Sequence, residues 1–145
     1  MTYLLDTNAI SEWVKPRPDP GIVRWLDEVD EDRTFLSVIA IGEIRKGVQR
    51  LADGRRRDRL DRWLSHELPE RFGDRMLPVD AEIADEWGRL LARAEDAGTP
   101  VGGIDGLIAA TAKVHQLHVV TRNVAHFQPT GVEVLCPWQG SAGRE

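Results

Sequence analysis

Short runs of mostly apolar residues, too short and too aperiodic to be helices, constrain what this chain can fold into more than any other feature. Tyr3-Leu4-Leu5, Thr34-Phe35-Leu36, Met76-Leu77-Pro78-Val79 and His118-Val119-Val120-Thr121 lack the polar alternation of a half-exposed strand, as strands covered on both faces do. Helical patterns fill the intervals. Val38, Ile41, Ile44, Val48 and Leu51 recur at helical spacing, as do Ile83, Trp87, Leu90, Leu91 and Ala94. Leu60, Trp63, Leu64 and Leu68 mark a further amphipathic helix over Arg55–Arg71. Strands alternating with helices predict a three-layer α/β/α sandwich around a short, mostly parallel sheet of four to five strands, Val132–Leu135 supplying the last.

Local signals punctuate this pattern. Pro16-Arg17-Pro18-Asp19-Pro20 must stop the short helix expected over Ala9–Val14, because proline removes a donor and clashes in a helix interior. Asp19 and Pro20 then start a helix carrying Ile22, Trp25, Leu26 and Val29. Asp53-Gly54 ends the helix that begins after Ser37, Asp80 caps the next, and Gly98 terminates it. One domain over residues 1–139 with a tail at 140–145 is expected.

The lone Cys136 excludes an internal disulfide, and no apolar run approaches the roughly 18 residues of a membrane helix. A soluble cytoplasmic protein without a leader is the expectation. A net charge of −5 argues against a wholly basic nucleic-acid binder, yet the charge is uneven. Asp27, Glu28, Asp30, Glu31 and Asp32 form an acidic block, whereas Arg45–Arg62 holds eight basic residues against three acidic ones. That face is either solvated, with Asp58 and Asp61 pairing to neighbours one turn away, or a surface for a polyanion.

Three carboxylates stand out. Asp6 closes the first apolar run, at the strand end where open parallel sheets bind ligands, although Asp6-Thr7-Asn8 also has the composition of a helix cap. Glu43 lies in a stretch, Phe35–Ile44, that is otherwise apolar or small apart from Ser37. It is either buried and in need of a partner, or placed on a solvated edge of its helix. Asp105 sits between Ile104 and Ile108 after the loop Pro100-Val101-Gly102-Gly103, ahead of the small residues Ala109, Ala110 and Ala112. If the three meet, like charges about 4 Å apart repel by roughly 4 kcal/mol per pair at an effective dielectric of about 20. A divalent cation removes the conflict, and an all-oxygen set suits Mg²⁺ or Mn²⁺ rather than zinc.

Four blocks taken in order carry a family resemblance: Leu4-Leu5-Asp6-Thr7-Asn8, Ile41-Gly42-Glu43-Ile44-Arg45-Lys46-Gly47, Asp105 before Leu107-Ile108-Ala109-Ala110, and Thr121-Arg122-Asn123 before Phe127. They resemble the PIN-domain ribonucleases, and among these the VapC/FitB toxins of bacterial type II toxin–antitoxin pairs. The resemblance implies a PIN fold, a Mg²⁺- or Mn²⁺-dependent endoribonuclease, a homodimer, and inhibition by a small antitoxin in a hetero-oligomer that binds operator DNA. It implies Asp6, Glu43 and Asp105 as metal ligands and catalytic residues, with Thr7, Asn8, Thr121 and Asn123 orienting ligands or substrate. Arg45, Lys46, Arg55, Arg56, Arg59 and Arg122 are candidates for holding RNA. One departure concerns the fourth acid, which members carry at the position of His126 or of Asn123; here both positions lack it. His126 is then either a metal or phosphate ligand or a packed rim residue.

Two other readings have different consequences. A haloacid-dehalogenase-like phosphatase also uses an aspartate ending its first strand, but needs a second acid two residues later, where this chain has Asn8. A weakly or non-catalytic module, binding an antitoxin and aiding operator recognition, fits the missing fourth acid.

Overall fold

The computed structural model describes residues 1–139. The expected tail at 140–145 lies outside the described residues. Five parallel strands, β1 (Tyr3–Leu5), β2 (Thr34–Ser37), β3 (Met76–Leu77), β4 (His118–Val120) and β5 (Val134–Leu135), form one sheet in the order β3-β2-β1-β4-β5. The last expected strand shortens to two residues, as does the one expected over Met76–Val79, where Pro78 brings no N–H to the ladder. From β1 the chain builds outward to β3, then returns to place β4 on the other side of β1. The order therefore reverses between β1 and β4, and the carboxyl ends of these two strands border the crevice where open α/β sheets bind ligands.

The central strand is buried on both faces because its side chains alternate between two cores. Leu5 packs with Ala9, Ile10, Ile44, Leu64 and Trp138, whereas Leu4 packs with Leu90, Ile108, Ala109 and Phe127. Val120 and Val119 divide in the same way. On the first face lie α1 (Thr7–Ser11), α2 (Pro20–Glu28), α3 (Val38–Gln49), α4 (Arg55–Arg62) and α5 (Leu68–Phe72). On the second lie α6 (Ala81–Asp96), α7 (Gly103–His115) and α8 (Val124–Phe127).

The capping signals act as their chemistry dictates. Asp19 Oδ2 accepts the N–H groups of Gly21 and Ile22 with Pro20 at the first helical position, and Asp80 Oδ1 accepts that of Ile83. Between α4 and α5 the chain passes through a π-helical turn, Trp63–Glu67, which lets Trp63, Leu64 and Leu68 all reach the first core. The helix expected over Arg55–Arg71 is thus continuous in direction but not in hydrogen-bond period. α1 is also shorter than its pattern suggests, giving way to a 3₁₀ turn at Glu12–Val14 before the proline run.

Two glycines set close approaches. A Cβ on Gly106 would lie 2.9 Å from Leu91 Cδ2, so α7 and α6 pack nearly backbone to side chain, and Trp87 Nε1 donates to Gly103 O at 3.0 Å to fix the start of α7. A Cβ on Gly21 would lie 2.4 Å from the backbone nitrogen of Gln139 and 2.5 Å from the carbonyl oxygen of Pro137. Because backbone rather than flexible side chain occupies that space, Gly21→Ala is expected to lower stability by roughly 1–3 kcal/mol, seen as a lower urea midpoint at unchanged m-value. Gly47→Ala, within α3 and with nothing inside 4 Å of the added methyl, is expected to leave stability unchanged or raise it by about 0.5–1 kcal/mol.

Candidate metal and nuclease site

Asp6 caps α1 and lines the candidate site. Its extended backbone (φ −69°, ψ 162°) follows β1, its N–H continues the ladder to Val120 O at 3.0 Å, and its Oδ1 accepts the N–H of Thr7 at 2.8 Å. Its other oxygen accepts the hydroxyl of Thr121, at the end of β4, at 2.7 Å. The carboxylate is only 5% exposed. Burial pushes its pKa above the ordinary aspartate value; the Thr121 hydroxyl and Thr7 N–H oppose this, and the charges of Asp105 and Glu43 add to it.

Thr121 is fully buried and its hydroxyl is saturated. Besides donating to Asp6 it accepts Asn8 Nδ2 at 3.2 Å and the Asn123 N–H at 3.0 Å. Asn8 Oδ1 in turn accepts the N–H of Arg122 at 3.2 Å. Asn8 therefore fastens the start of α1 to the loop after β4. It occupies the place where a haloacid-dehalogenase-like phosphatase needs its second acid, and its amide cannot serve as one.

Glu43 arrives from α3. It is exposed, so the solvated-edge reading holds and the buried one does not. The apolar look of Phe35–Ile44 misleads because Val38 and Gly42 also face outward, leaving Ala40, Ile44 and Val48 as the buried stripe. Thr7 Oγ1 donates to Glu43 Oε1 at 2.5 Å and so ties this carboxylate to α1. Asp105 stands in the first turn of α7, half-buried, with His126 Nδ1 at 3.4 Å from its Oδ2. His126 is 61% exposed and reaches the site at Asp105.

Asp6, Thr7, Asn8, Glu43, Asp105 and Asn123 line one pocket of about 310 Å³. Two further lining residues, Ser11 and Lys15, carry no sequence signal beyond recurring with Thr7 at intervals of four. Glu12, 1% exposed, is not singled out by the sequence either. Its burial raises its pKa, but hydrogen bonds from Lys15, the Asp19 N–H and Trp138 outweigh that and hold it below the ordinary glutamate value. The signal available was one acid inside Ala9–Val14.

The arginines of α4 do not line this pocket. Arg55, Arg56 and Arg59 are exposed, as is Lys46 on α3, whereas Arg45 is engaged by Asp61 at 2.6 Å and by Ser65 at 2.8 Å. Arg122 lines an adjoining groove of about 780 Å³ with Asn123 and His126.

The donor set fits a hard divalent cation, with three carboxylates and two carboxamides lining one pocket and burial, then repulsion by the other two acids, raising the pKa of Asp6. Among the described residues no three His, Cys, Asp or Glu side chains stand close enough together, as placed, to hold a metal ion. The site is an open cluster, suited to an ion that keeps part of its water shell.

Comparison with known proteins agrees with this geometry. Residues 3–129 match the PIN domain. The chain is 38% identical to Toxin FitB of Neisseria gonorrhoeae over 135 residues, covering 93% of this chain and 97% of that protein. It is 35% identical to the VapC ribonuclease Y4jK of Sinorhizobium fredii over 136 residues, covering 94% and 97%. The structure of FitAB bound to an IR36 DNA fragment superposes with a TM-score of 0.89 at 36% identity, covering 94% of this chain and 96% of that one. A five-stranded parallel sheet between helical layers, acids from β1, α3 and α7 on one pocket, and a match over nearly the whole chain lead to one assignment: this chain belongs to the PIN-domain family, in its VapC/FitB group.

Proposed function

We propose that this protein is the ribonuclease toxin of a toxin–antitoxin pair, hydrolysing RNA phosphodiester bonds at a Mg²⁺ or Mn²⁺ site made by Asp6, Glu43 and Asp105. The observation that carries the proposal is that three acids from separate elements line one pocket at the point where the strand order reverses, with the buried one made a weaker acid by burial and by its neighbours. The resemblance to a protein named a toxin and to one named a ribonuclease supports the activity. The relative FitAB, solved bound to an IR36 DNA fragment, supports a complex that meets DNA; in this reading the partner is a small antitoxin, the DNA is its operator and the toxin is a homodimer. No helix among the described residues is long and apolar enough to cross a membrane, in keeping with an enzyme that meets its RNA in the cytoplasm.

When bound, the cation supplies an activated water and steadies the leaving oxygen. The chain's own residues prepare that chemistry. Thr121 and the Thr7 N–H hold both oxygens of Asp6, Thr7 holds Glu43, and Asn8 locks the β4 loop so that Asn123 borders the pocket. His126, beside Asp105, stands at the rim between this pocket and the groove that Arg122 lines. The exposed Arg55, Arg56 and Arg59 offer a sequence-independent hold on the phosphate backbone.

Asp6→Asn and Asp105→Asn are expected to reduce Mn²⁺-dependent cutting of single-stranded RNA by more than the roughly 10–100-fold seen for loss of an outer-shell partner, and a chelator should abolish it. Full cutting by folded Asp6→Asn protein would refute the metal site. In metal-free buffer the same variant should melt higher than wild type, because the raised pKa means that stability declines as pH rises from the ordinary aspartate value through the folded one, leaving ionised Asp6 a net cost near pH 7. The shift is roughly 2–4 °C per kcal/mol relieved, and an unchanged or lower Tm would contradict it. Neutralising Arg55, Arg56 and Arg59 together should flatten the dependence of log K on log salt by about 0.7 for each phosphate that these side chains neutralise; an unchanged slope returns α4 to a solvated face.

A further inference from the structure

Among the described residues, a single cationic side chain lines the carboxylate pocket, that of Lys15. It follows the 3₁₀ turn, where the backbone turns extended (φ −71°, ψ 142°), and its Nζ donates to Glu12 Oε2 at 2.7 Å. Glu12 is no ordinary surface partner. Its side chain is 2% exposed against 44% for that of Lys15, its Oε1 accepts the Asp19 N–H at 3.0 Å, and its Oε2 also accepts the indole N–H of Trp138 at 3.2 Å. Trp138 is itself buried, and its segment is seated on Gly21 and on Asp19 Oδ2, which accepts the Gln139 N–H at 2.8 Å.

The arrangement is thus a buried carboxylate clamped by two donors from distant parts of the chain, with an ammonium on its one remaining side. A half-exposed ammonium on a buried carboxylate adds little stability beyond answering that charge, but the pairing also fixes where the ammonium stands. An ammonium has three donors, of which Glu12 takes one, and the half-exposed head borders the pocket that holds Asp6, Glu43 and Asp105. A phosphodiester approaching three carboxylates is repelled by them, and a fixed cation at the rim supplies the attraction that seats it.

We propose that Lys15 binds a phosphate oxygen of the RNA backbone next to the scissile bond, and that buried Glu12 is its positioning residue. The proposal rests on the ribonuclease reading above. The test measures binding of a fluorescein-labelled single-stranded RNA of mixed sequence in EDTA, where metal-dependent cutting is off, across a salt series. Lys15→Met should bind about tenfold more weakly, with the slope of log K against log salt smaller by about 0.7. Lys15→Arg, which keeps the charge, should recover most of both. The double variant Glu12→Gln/Lys15→Met, which strands no buried charge, should show the same loss as Lys15→Met. Glu12→Gln alone should weaken binding while the salt slope stays near that of wild type, because the ammonium persists but loses its fixed place. In Mn²⁺, Lys15→Met should raise KM more than it lowers kcat.

Wild-type affinity and slope in Lys15→Met, or in the double variant should the single one fold poorly, would overturn the proposal. So would a lowered Tm with binding unchanged, which is the mark of a purely structural pair. Failure of the ribonuclease reading appears separately, as absence of any Mg²⁺- or Mn²⁺-dependent cutting by the wild-type protein.

Discussion

A hydroxyl and a carboxylate, Thr121 Oγ1 and Asp6 Oδ2, meet at 2.7 Å across the ends of two adjacent strands, and the rest of the site depends on that contact. It forms where burial makes any charge costly, and each oxygen of Asp6 has a donor to answer it, the Thr7 N–H or the Thr121 hydroxyl. The same hydroxyl accepts from Asn8 and from the backbone of Asn123, so the end of β1, the start of α1 and the loop after β4 share one hydrogen-bonded centre. Parallel pairing of Leu4 with Val119 and Leu5 with Val120 sets the register that makes the contact possible. Each later residue of the site is placed relative to this centre: Glu43 through Thr7, and Asp105 through the packing of α7 on α6 and the sheet.

Much of this was legible in the residues alone. Mostly apolar runs located the first four strands because a strand covered on both faces has no polar period to hide it, and Val132–Leu135 located the last despite Glu133. Asp6 was legible for the same reason, as the first charge after such a run, and Asp105 because an acid flanked by Ile104 and Ile108 has few innocuous positions. Of the two readings left open at Asp6, the cap is seen directly in the Thr7 N–H that one oxygen accepts, while the other oxygen accepts the Thr121 hydroxyl and the residue lines the pocket. The strand order was not legible: crossover direction follows from which helices cover which face, a property of the assembled cores. Nor was the outward turn of Glu43, because local composition reports the average burial of a segment and not the angle of one side chain on a helix. Glu12 and Lys15 escaped notice for a plainer reason. The partner that explains them, Trp138, lies 126 residues away.

The open geometry of the three acids also has a physical logic. Were they packed into a preformed cage without an ion, each pair would repel strongly in a low-dielectric pocket. Leaving Glu43 exposed and tethered by one hydroxyl lowers that repulsion while keeping the carboxylate within reach. Among the three, Asp6 is the one held deep, and burial, with its acidic neighbours, drives its pKa upward. The fold thus concentrates the electrostatic penalty on one residue and surrounds that residue with donors.

The alternation of Leu4 and Leu5 between two separate cores bears on how such a protein can change over time. The strand that presents Asp6 is gripped by both helical layers, yet the outer surfaces of α4 and α6 touch neither it nor the pocket. Substitutions on those surfaces leave the sheet's register undisturbed. A lineage can therefore revise its outer charges, and with them the RNAs or protein partners it meets, while the chemistry at the strand ends stays in place. Neutral drift and adaptive change are in this sense assigned to different layers of one small domain.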